Sequence, residues 1–444
     1  MMLAEKLDKP VAIYPLVTFR ILFGFVMLLG TIRFVALGWI EDHYLQPLLH
    51  FTYYGFSWIK VAPAWLMYTI HGVMILSAAG IMLGYWYRLS AIVFCVTFTY
   101  TELIDVTYYL NHYYFVSWVA FILIFLPAHQ YFSIDVWRKP RLQQNTTPWW
   151  TIAILQFMVA LVYVFAGLAK INDDWLMQAM PLRIWLPAHH HLPFVGDLLR
   201  QDWVAYAFSW MGMLFDCTVF FFLVYKPTRL FAWLILVVFH LLTGFLFQIG
   251  VFPVVMITST LIFFSSQWHQ HALEKLQSLL GYKPLPKTEK SNYQTSFFLR
   301  YGLYAVVSFH LLFPFRYLLY PSDIFWSEEG YRFSWRVMLM EKAGTATFYV
   351  KDQATNKEGV VDNAEFLNSH QEKQMAMQPD MILQYAHFLK NEFSKRGLHN
   401  PSVRAEVYIT LNGAPSRLLI DPNIDLALLQ DSWQTKQWVR PFNH

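Results

Sequence analysis

Hydrophobic positions follow two regimes along the chain. From about residue 12 to residue 320 they form long, nearly unbroken runs, and after Tyr320 they alternate with polar residues. A bilayer core asks a crossing helix for ~20 consecutive apolar residues. The first regime predicts nine such helices, at 12–38, 61–85, 89–108, 113–127, 150–169, 204–225, 228–248, 250–264 and 297–320. The fourth and eighth are short and call for a different tilt, help from flanking residues or a re-entrant path, so the count stands to within one. In the second regime, period-two alternation at 346–351 and 403–411 predicts strands, and helical spacing at 379–390 predicts a helix between them. The expected fold is a polytopic α-helical membrane protein with a small C-terminal extracytoplasmic β-rich (α+β) domain. Its parts are a transmembrane helical domain at 1–264, a basic cytoplasmic linker at 265–296, the last crossing at 297–320 and the soluble domain at 321–444.

Composition agrees with that division. The 444 residues are 56% hydrophobic, 19% aromatic and 14% charged, against about 25% charged in soluble domains. A net charge of +4 gives no sign of nucleic-acid binding. Both cysteines, Cys95 and Cys217, fall inside apolar runs and read as small core residues rather than a disulfide framework. The amino terminus lacks a small-residue cleavage site, and its first apolar run is long enough to remain as a crossing helix.

Loop charge then assigns sides, because cytoplasmic loops keep the excess of Lys and Arg. One set of connections holds Lys6, Lys9, Arg88, Arg138, Lys139, Arg141, Lys226, Arg229, Lys275, Lys283, Lys287 and Lys290. The other holds Lys60, Lys170, Arg183 and Arg200. The first set is cytoplasmic, and with it the amino terminus; nine crossings then place the C-terminal domain outside.

Ionisable groups at membrane depth are costly, so each one is a functional candidate. On the outer side lie Glu102 and Asp105, then Asn111 and His112 among Tyr108, Tyr109, Tyr113 and Tyr114, then Lys170 at the end of the run 149–169, followed by Asp173, Asp174 and Trp175. His240 falls in the outer half of the seventh helix, and Gln248, Ile249 and Gly250 close the turn after it. Asn111 and His112 read either as a polar turn in an aromatic interface belt or as an amide and an imidazole aimed into a dry aromatic pocket. Lys170 reads either as a snorkelling anchor or as a desolvated amine able to act as a base, and Asp173 or Asp174 beside it would keep it charged. Three adjacent histidines, His189, His190 and His191, do not share one face of a helix or strand and have no Cys or carboxylate companion, so no metal is expected. Phosphate-loop, G-x-S-x-G and H-E-x-x-H motifs are missing from the sequence.

In these stretches the chain resembles the vitamin K-dependent γ-carboxylases and their microbial relatives, the HTTM-domain membrane proteins. The resemblance is carried by FRILFGFVML at 19–28, AGIMLG at 79–84 with Tyr87 and Arg88, Asp105 through Asn111 and His112, and YFSID at 131–135. It continues at FAG (165–167), Lys170, Asp174 and Trp175, Phe239 and His240, and FQIGVF at 247–252. Weaker echoes follow at Gly330 and Tyr331, Ser334 and Trp335, IDP (420–422), and Trp438 and Val439. They run in order over nearly the whole chain.

The resemblance implies a carbon–carbon lyase (carboxylase) that couples O2-dependent epoxidation of vitamin K hydroquinone (menaquinol or phylloquinol as co-substrate) to carboxylation of protein glutamate with CO2. It implies Lys170 as the base on the hydroquinone, His112 on the carbanion side, and Asn111 orienting the reactants. Tyr113, Tyr109, Asp105, Trp175 and His240 are the expected substrate- or quinone-binding residues. The expected partners are a glutamate-containing peptide or protein and the membrane's lipid and quinone. The soluble region is much shorter than in animal carboxylases, which reduces the surface expected to grip a recognition peptide, and the two cysteines do not offer the disulfide that links the two parts in animal members. A non-catalytic quinone- or lipid-binding protein, or a scaffold of the HTTM family, is the alternative. It requires Lys170 to face water or pair with Asp173 or Asp174.

Overall fold

A computed structural model of the chain describes every residue except Met1, Gln248, 283–285, Lys287, 289–291 and 443–444. Gln248 of the outer turn and the basic residues Lys283, Lys287 and Lys290 therefore lie outside the described residues. Among the described residues, six helices are long and apolar enough to cross a bilayer: Tyr14–Ala36 (α1), Ala64–Leu83 (α2), Trp150–Ala169 (α3), Asp202–Val224 (α4), Arg229–Phe247 (α5) and Phe297–Leu319. The other segments expected to cross are shorter or less apolar helices. The helix Tyr87–Ile104 stops early because Asp105 adopts an extended backbone and its carboxylate accepts the Thr107 N–H, starting a separate turn. Asn111–Phe125 and Phe252–Phe263 are apolar but short, and Pro253 sits in the first turn of the latter, where its missing N–H costs nothing. The last crossing changes from α-helix to the tighter 3₁₀ form at Phe313, with Pro314 at its start.

The connections gather at two ends. At one end Pro10–Ala12 pairs antiparallel with Thr146–Pro148, and Asp8 accepts hydrogen bonds from the Thr295 N–H and the Arg300 guanidinium. The stretch expected as a linker contains a helix, Ser266–Leu279, which buries His269, Leu273 and Gln277 and packs on α1. At the other end the turns around 105–111 and 170–175 meet the C-terminal domain. Gln371 donates to Asp105, Asn111 to the Arg336 carbonyl, and Asn412 to Asp174.

The C-terminal sheet is antiparallel, with strands Lys342–Lys351 (β1), Glu358–Val360 (β2), Ser402–Leu411 (β3) and Arg417–Leu418 (β4) in the order β2-β1-β3-β4. Both predicted strands are present and extended to ten residues each, and they pair along their whole length, Lys342 with Leu411 through Lys351 with Ser402. Alternation sets the two faces: Phe348, Val350, Val403, Ala405, Val407 and Ile409 are buried against the helix Pro379–Lys395, whose Ile382, Tyr385, Ala386 and Leu389 face them. At ~1.5–3 kcal/mol per fully buried large apolar side chain, this layer is a large share of a core that runs on to Val106, Trp175, Leu182 and Met213.

Candidate functional site

Lys170 caps the C-terminal end of α3, and its ammonium turns back into the protein rather than out to solvent. The reason lies one turn earlier. Gly167 faces α4 so closely that a Cβ there would sit 2.6 Å from the Cys217 nitrogen; only glycine lets the two backbones meet here. That contact brings Asp216 of α4 within reach, and Lys170 Nζ lies 2.8 Å from its Oδ2. The Ala166 carbonyl accepts a longer bond at 3.4 Å, and the Trp175 ring lies 5.2 Å from the ammonium. Trp175 is itself fixed, donating its Nε1–H to the Ser209 carbonyl and its backbone N–H to Asn172. Both charged side chains are almost fully buried, at 7% and 6% exposure.

Lys170, Asp216 and Trp175 line a chamber of about 80 Å³ together with Tyr163, His240 and Phe252. His240 Nε2 hydrogen-bonds the Tyr163 hydroxyl at 2.7 Å, and its Nδ1 is buried without a partner among the described residues. Beyond Phe252 lies a second chamber of about 60 Å³ that holds His112, Tyr113 and Glu102. His112 Nε2 is likewise buried and unpartnered. The Phe252 ring stands between the two histidines, with centroids 5.7 Å from His112 and 5.6 Å from His240. It divides the site into a lysine side and a histidine side.

A third and larger cavity, about 640 Å³, lies where the membrane helices meet the soluble domain. One end is apolar (Phe121, Phe309, Phe313) and the other charged (Arg316, Arg332, Asp380), and Glu102 borders both this cavity and the His112 chamber. A strap, residues 331–338, runs between the spaces: Arg332 and Phe333 line the large cavity, while Val337 and Met338 line the Lys170 chamber. Phe333, Trp335 and Met338 all have positive φ, at 61°, 58° and 53°. Each such conformation costs ~1–3 kcal/mol and persists only where surroundings enforce it. Here Asn111 Nδ2 donates to the Arg336 carbonyl at 2.7 Å, the Phe333 N–H donates to the Tyr109 hydroxyl at 2.8 Å, and that hydroxyl donates to Asn111 Oδ1. Trp335 is fully buried against Tyr114 and His310.

The expected site residues thus separate into groups. Lys170, Trp175 and His240 share one chamber, and His112 and Tyr113 share the next. Tyr109 lines the large cavity and, with Asn111, clamps the strap. Asp105 instead seats the C-terminal domain on the turn 105–111 through Gln371. Neither neighbouring aspartate takes Lys170: Asp173 is exposed, and Asp174 accepts from Asn412 and Gln178. His190 and His191 are exposed and His189 is half-buried, and among the described residues no group of three or more His, Cys, Asp or Glu is placed to hold a metal ion. Cys95 and Cys217 are free thiols. Sequence reasoning missed Asp216, Tyr163 and Phe252. Asp216 had a usable signal, since a carboxylate inside an apolar run is costly without a partner; Phe252 ends the FQIGVF stretch that carries the resemblance, and Tyr163 had no signal among so many other aromatic residues.

Comparison with known families adds to this geometry. The HTTM domain family matches residues 8–268, which hold every cavity-lining residue named above except those of the last crossing, the strap and the C-terminal domain. The vitamin K-dependent gamma-carboxylase lumenal domain family matches residues 294–444, the last crossing and the sheet domain. No solved structure matches the chain. The two matches, in this order and over more than half of the chain, show that the protein belongs to the HTTM-domain, vitamin K-dependent gamma-carboxylase family.

Proposed function

We propose that the protein is a vitamin K hydroquinone-dependent glutamyl carboxylase, coupling O2-dependent epoxidation of the quinol to carboxylation of a glutamate in a peptide or protein. The observation that carries this reading is the buried Lys170–Asp216 pair facing an aromatic chamber. An anchor lysine would reach for water; this one is turned inward onto a carboxylate 46 positions along the chain.

The chamber walls suit a planar aromatic diol, and the polar atoms on offer are few: the Lys170–Asp216 pair and His240 Nδ1. Its volume is below the ~300–1,000 Å³ of ordinary ligand sites, whereas the large cavity falls within that range. The reading therefore places the lipid-soluble body of the quinol in the large cavity, with its ring reaching the lysine once the strap at Val337 and Met338 gives way. Bound there, the quinol supplies reducing power and, with O2, the basicity that removes the glutamate γ-proton; CO2 adds to the carbon left behind.

The protein's own groups handle the first proton. A phenol with a reference pKa of ~10 gives up a proton poorly in an apolar chamber unless charge stays balanced. The Lys170–Asp216 pair is neutral as a unit. When the phenolic O–H breaks, the pair takes the proton, and the phenolate is left against the Lys170 ammonium, a preorganised countercharge in a low-dielectric site. His112 acts on the glutamate side beyond Phe252, where its free Nε2 can hold or deliver a proton. Asn111 works through the strap it clamps. The loop charges favour a cytoplasmic amino terminus and an extracytoplasmic site, and no metal enters the scheme.

The test supplies purified protein with reduced vitamin K, O2, labelled CO2 and a short glutamate peptide. Epoxide and acid-stable label in the peptide are expected together. Absence of epoxide from a folded sample overturns the reading in favour of a quinone carrier.

A further inference from the structure

The sheet of the soluble domain has an edge that its neighbour does not cover. β2 pairs with β1 only at Tyr349, Val350 and Lys351, and the Val361 N–H reaches the Phe348 carbonyl just beyond. Antiparallel strands alternate the direction of their polar groups. Since the Phe348 carbonyl points toward β2, the N–H and C=O groups of Ala346 and Gly344 point the same way, away from β3. The other neighbour confirms the parity: Val407, opposite Ala346, sends its own carbonyl outward to Leu419. Past Phe348 the chain of β2 leaves the edge, and a groove of about 520 Å³ opens between β1 and the helix Ser369–Met375.

This groove contains unsatisfied polar groups. The Ala346 carbonyl accepts from Asn363 Nδ2 at 2.9 Å. The Ala346 N–H and both polar groups of Gly344 have no partner among the described residues. Asn363, 7% exposed, also lines the groove, and its Oδ1 is buried without a partner among the described residues. Natural proteins cover or charge such an edge, and a row of backbone donors and acceptors has one chemical complement, another extended backbone.

We propose that this edge is a binding site for an extended polypeptide, which adds a strand to β1 beside Gly344 and Ala346 and so holds the protein substrate near the membrane site. The proposal rests on the carboxylase reading for the identity of the occupant. The position suits it. The helix forming the far wall is the one whose Gln371 and His370 grip Asp105 and the Thr107 carbonyl, at the turn that leads into Asn111 and His112. Recognition through backbone groups accepts many sequences.

The experiment measures binding of a fluorescent, capped hexapeptide, Thr-Glu-Thr-Val-Thr-Glu, to the detergent-solubilised full chain without quinol. Backbone N-methylation of alternate residues is the main probe, since it needs no protein variant. Methylating one alternating set should weaken binding about three- to tenfold per lost hydrogen bond, and methylating the other set should leave it unchanged. Ala346→Pro removes only an N–H that β3 does not use, a change that edge strands tolerate. It should raise the KM for the peptide about three- to tenfold at unchanged kcat. Equal sensitivity to both methylation sets, or no binding by about 1 mM peptide, overturns the proposal, as does a dimer of the protein that Ala346→Pro dissociates, which would make a second copy the occupant. Alternating sensitivity without any epoxide would leave the groove standing and remove the carboxylase reading; epoxide with indifferent methylation would do the reverse.

Discussion

Two ion pairs in this protein look alike on paper and are built differently. Lys170–Asp216, in the membrane part, rests on a single 2.8 Å contact between side chains that are 7% and 6% exposed. Arg332–Asp380, at the rim of the large cavity, is bidentate at 2.6 and 3.2 Å, is backed by Gln378, and leaves 19% and 22% of its side chains to solvent. Asp380 also lies in the first turn of its helix, where the macrodipole favours a carboxylate. The second pair is braced on every side. The first has less support: Asp216 Oδ1 receives no hydrogen bond among the described residues, and the chamber beside it is lined with aromatic rings. Burial with unused hydrogen-bonding capacity is what sets the first pair apart, and it is the ground on which a working role is proposed for it.

The comparison breaks most sharply at Lys170. Lys170→Met should lower quinol epoxidation about 10²–10⁴-fold, the range for loss of a proton-transfer group. It should also cost about 3–5 kcal/mol of stability, because Asp216 is left buried and alone. Lys170→Met with Asp216→Leu should return most of the melting temperature and none of the activity. Wild-type-like turnover in either variant would reduce the pair to a structural one.

Arg332→Met is the counterpart. Partial exposure discounts the loss to roughly 2–3 kcal/mol, read by thermal unfolding. Its pH dependence carries a sign. Burial alone would raise the Asp380 carboxyl, but the Arg332 guanidinium outweighs burial and holds it below its ordinary value. A depressed carboxylate stabilises the fold above its unfolded pKa of ~3.9. The melting-temperature gap between wild type and Arg332→Met should therefore be full near neutrality and close as pH falls below ~4. A gap that widened in acid would mean that the pair does not carry the stability.

How much of this was legible beforehand follows the same division. The sheet was readable because alternation is a local signal: the segments predicted at 346–351 and 403–411 lie inside β1 and β3, and the helix predicted at 379–390 lies inside Pro379–Lys395. Apolarity was a poorer guide to helix ends. It ran through Asp105, where a carboxylate bonded to Thr107 breaks the backbone path. The lysine was legible and its partner was not, because a contact between positions 170 and 216 depends on Gly167 admitting α4, which no spacing rule encodes. The strap was opaque for another reason: Phe333, Trp335 and Met338 are bulky residues in conformations usually left to glycine.

That strap gives a smaller test of what holds the lysine side closed. Asn111→Ala removes the donor to the Arg336 carbonyl and the acceptor for Tyr109, at a cost of about 1–3 kcal/mol. The expected readout is local: faster amide exchange at Phe333, whose N–H is held by the Tyr109 hydroxyl. Unchanged exchange there would show that Trp335 and the Arg332–Asp380 pair fix the strap without Asn111.

The smallest effect belongs to Asp173, and it sharpens the comparison by elimination. On sequence grounds Asp173 and Asp174 were the natural partners for Lys170, three and four positions away. Asp174 is occupied by Asn412, and Asp173 is exposed at the start of the short helix Asp173–Leu176. Asp173→Asn should therefore shift stability by no more than about 0.5 kcal/mol and leave epoxidation at the wild-type rate, whereas Asp216→Asn, which keeps the shape and removes the charge, should lower it. If the two variants behaved alike, the charge balancing Lys170 would be coming from the surface, and the buried pair would lose its claim on the chemistry.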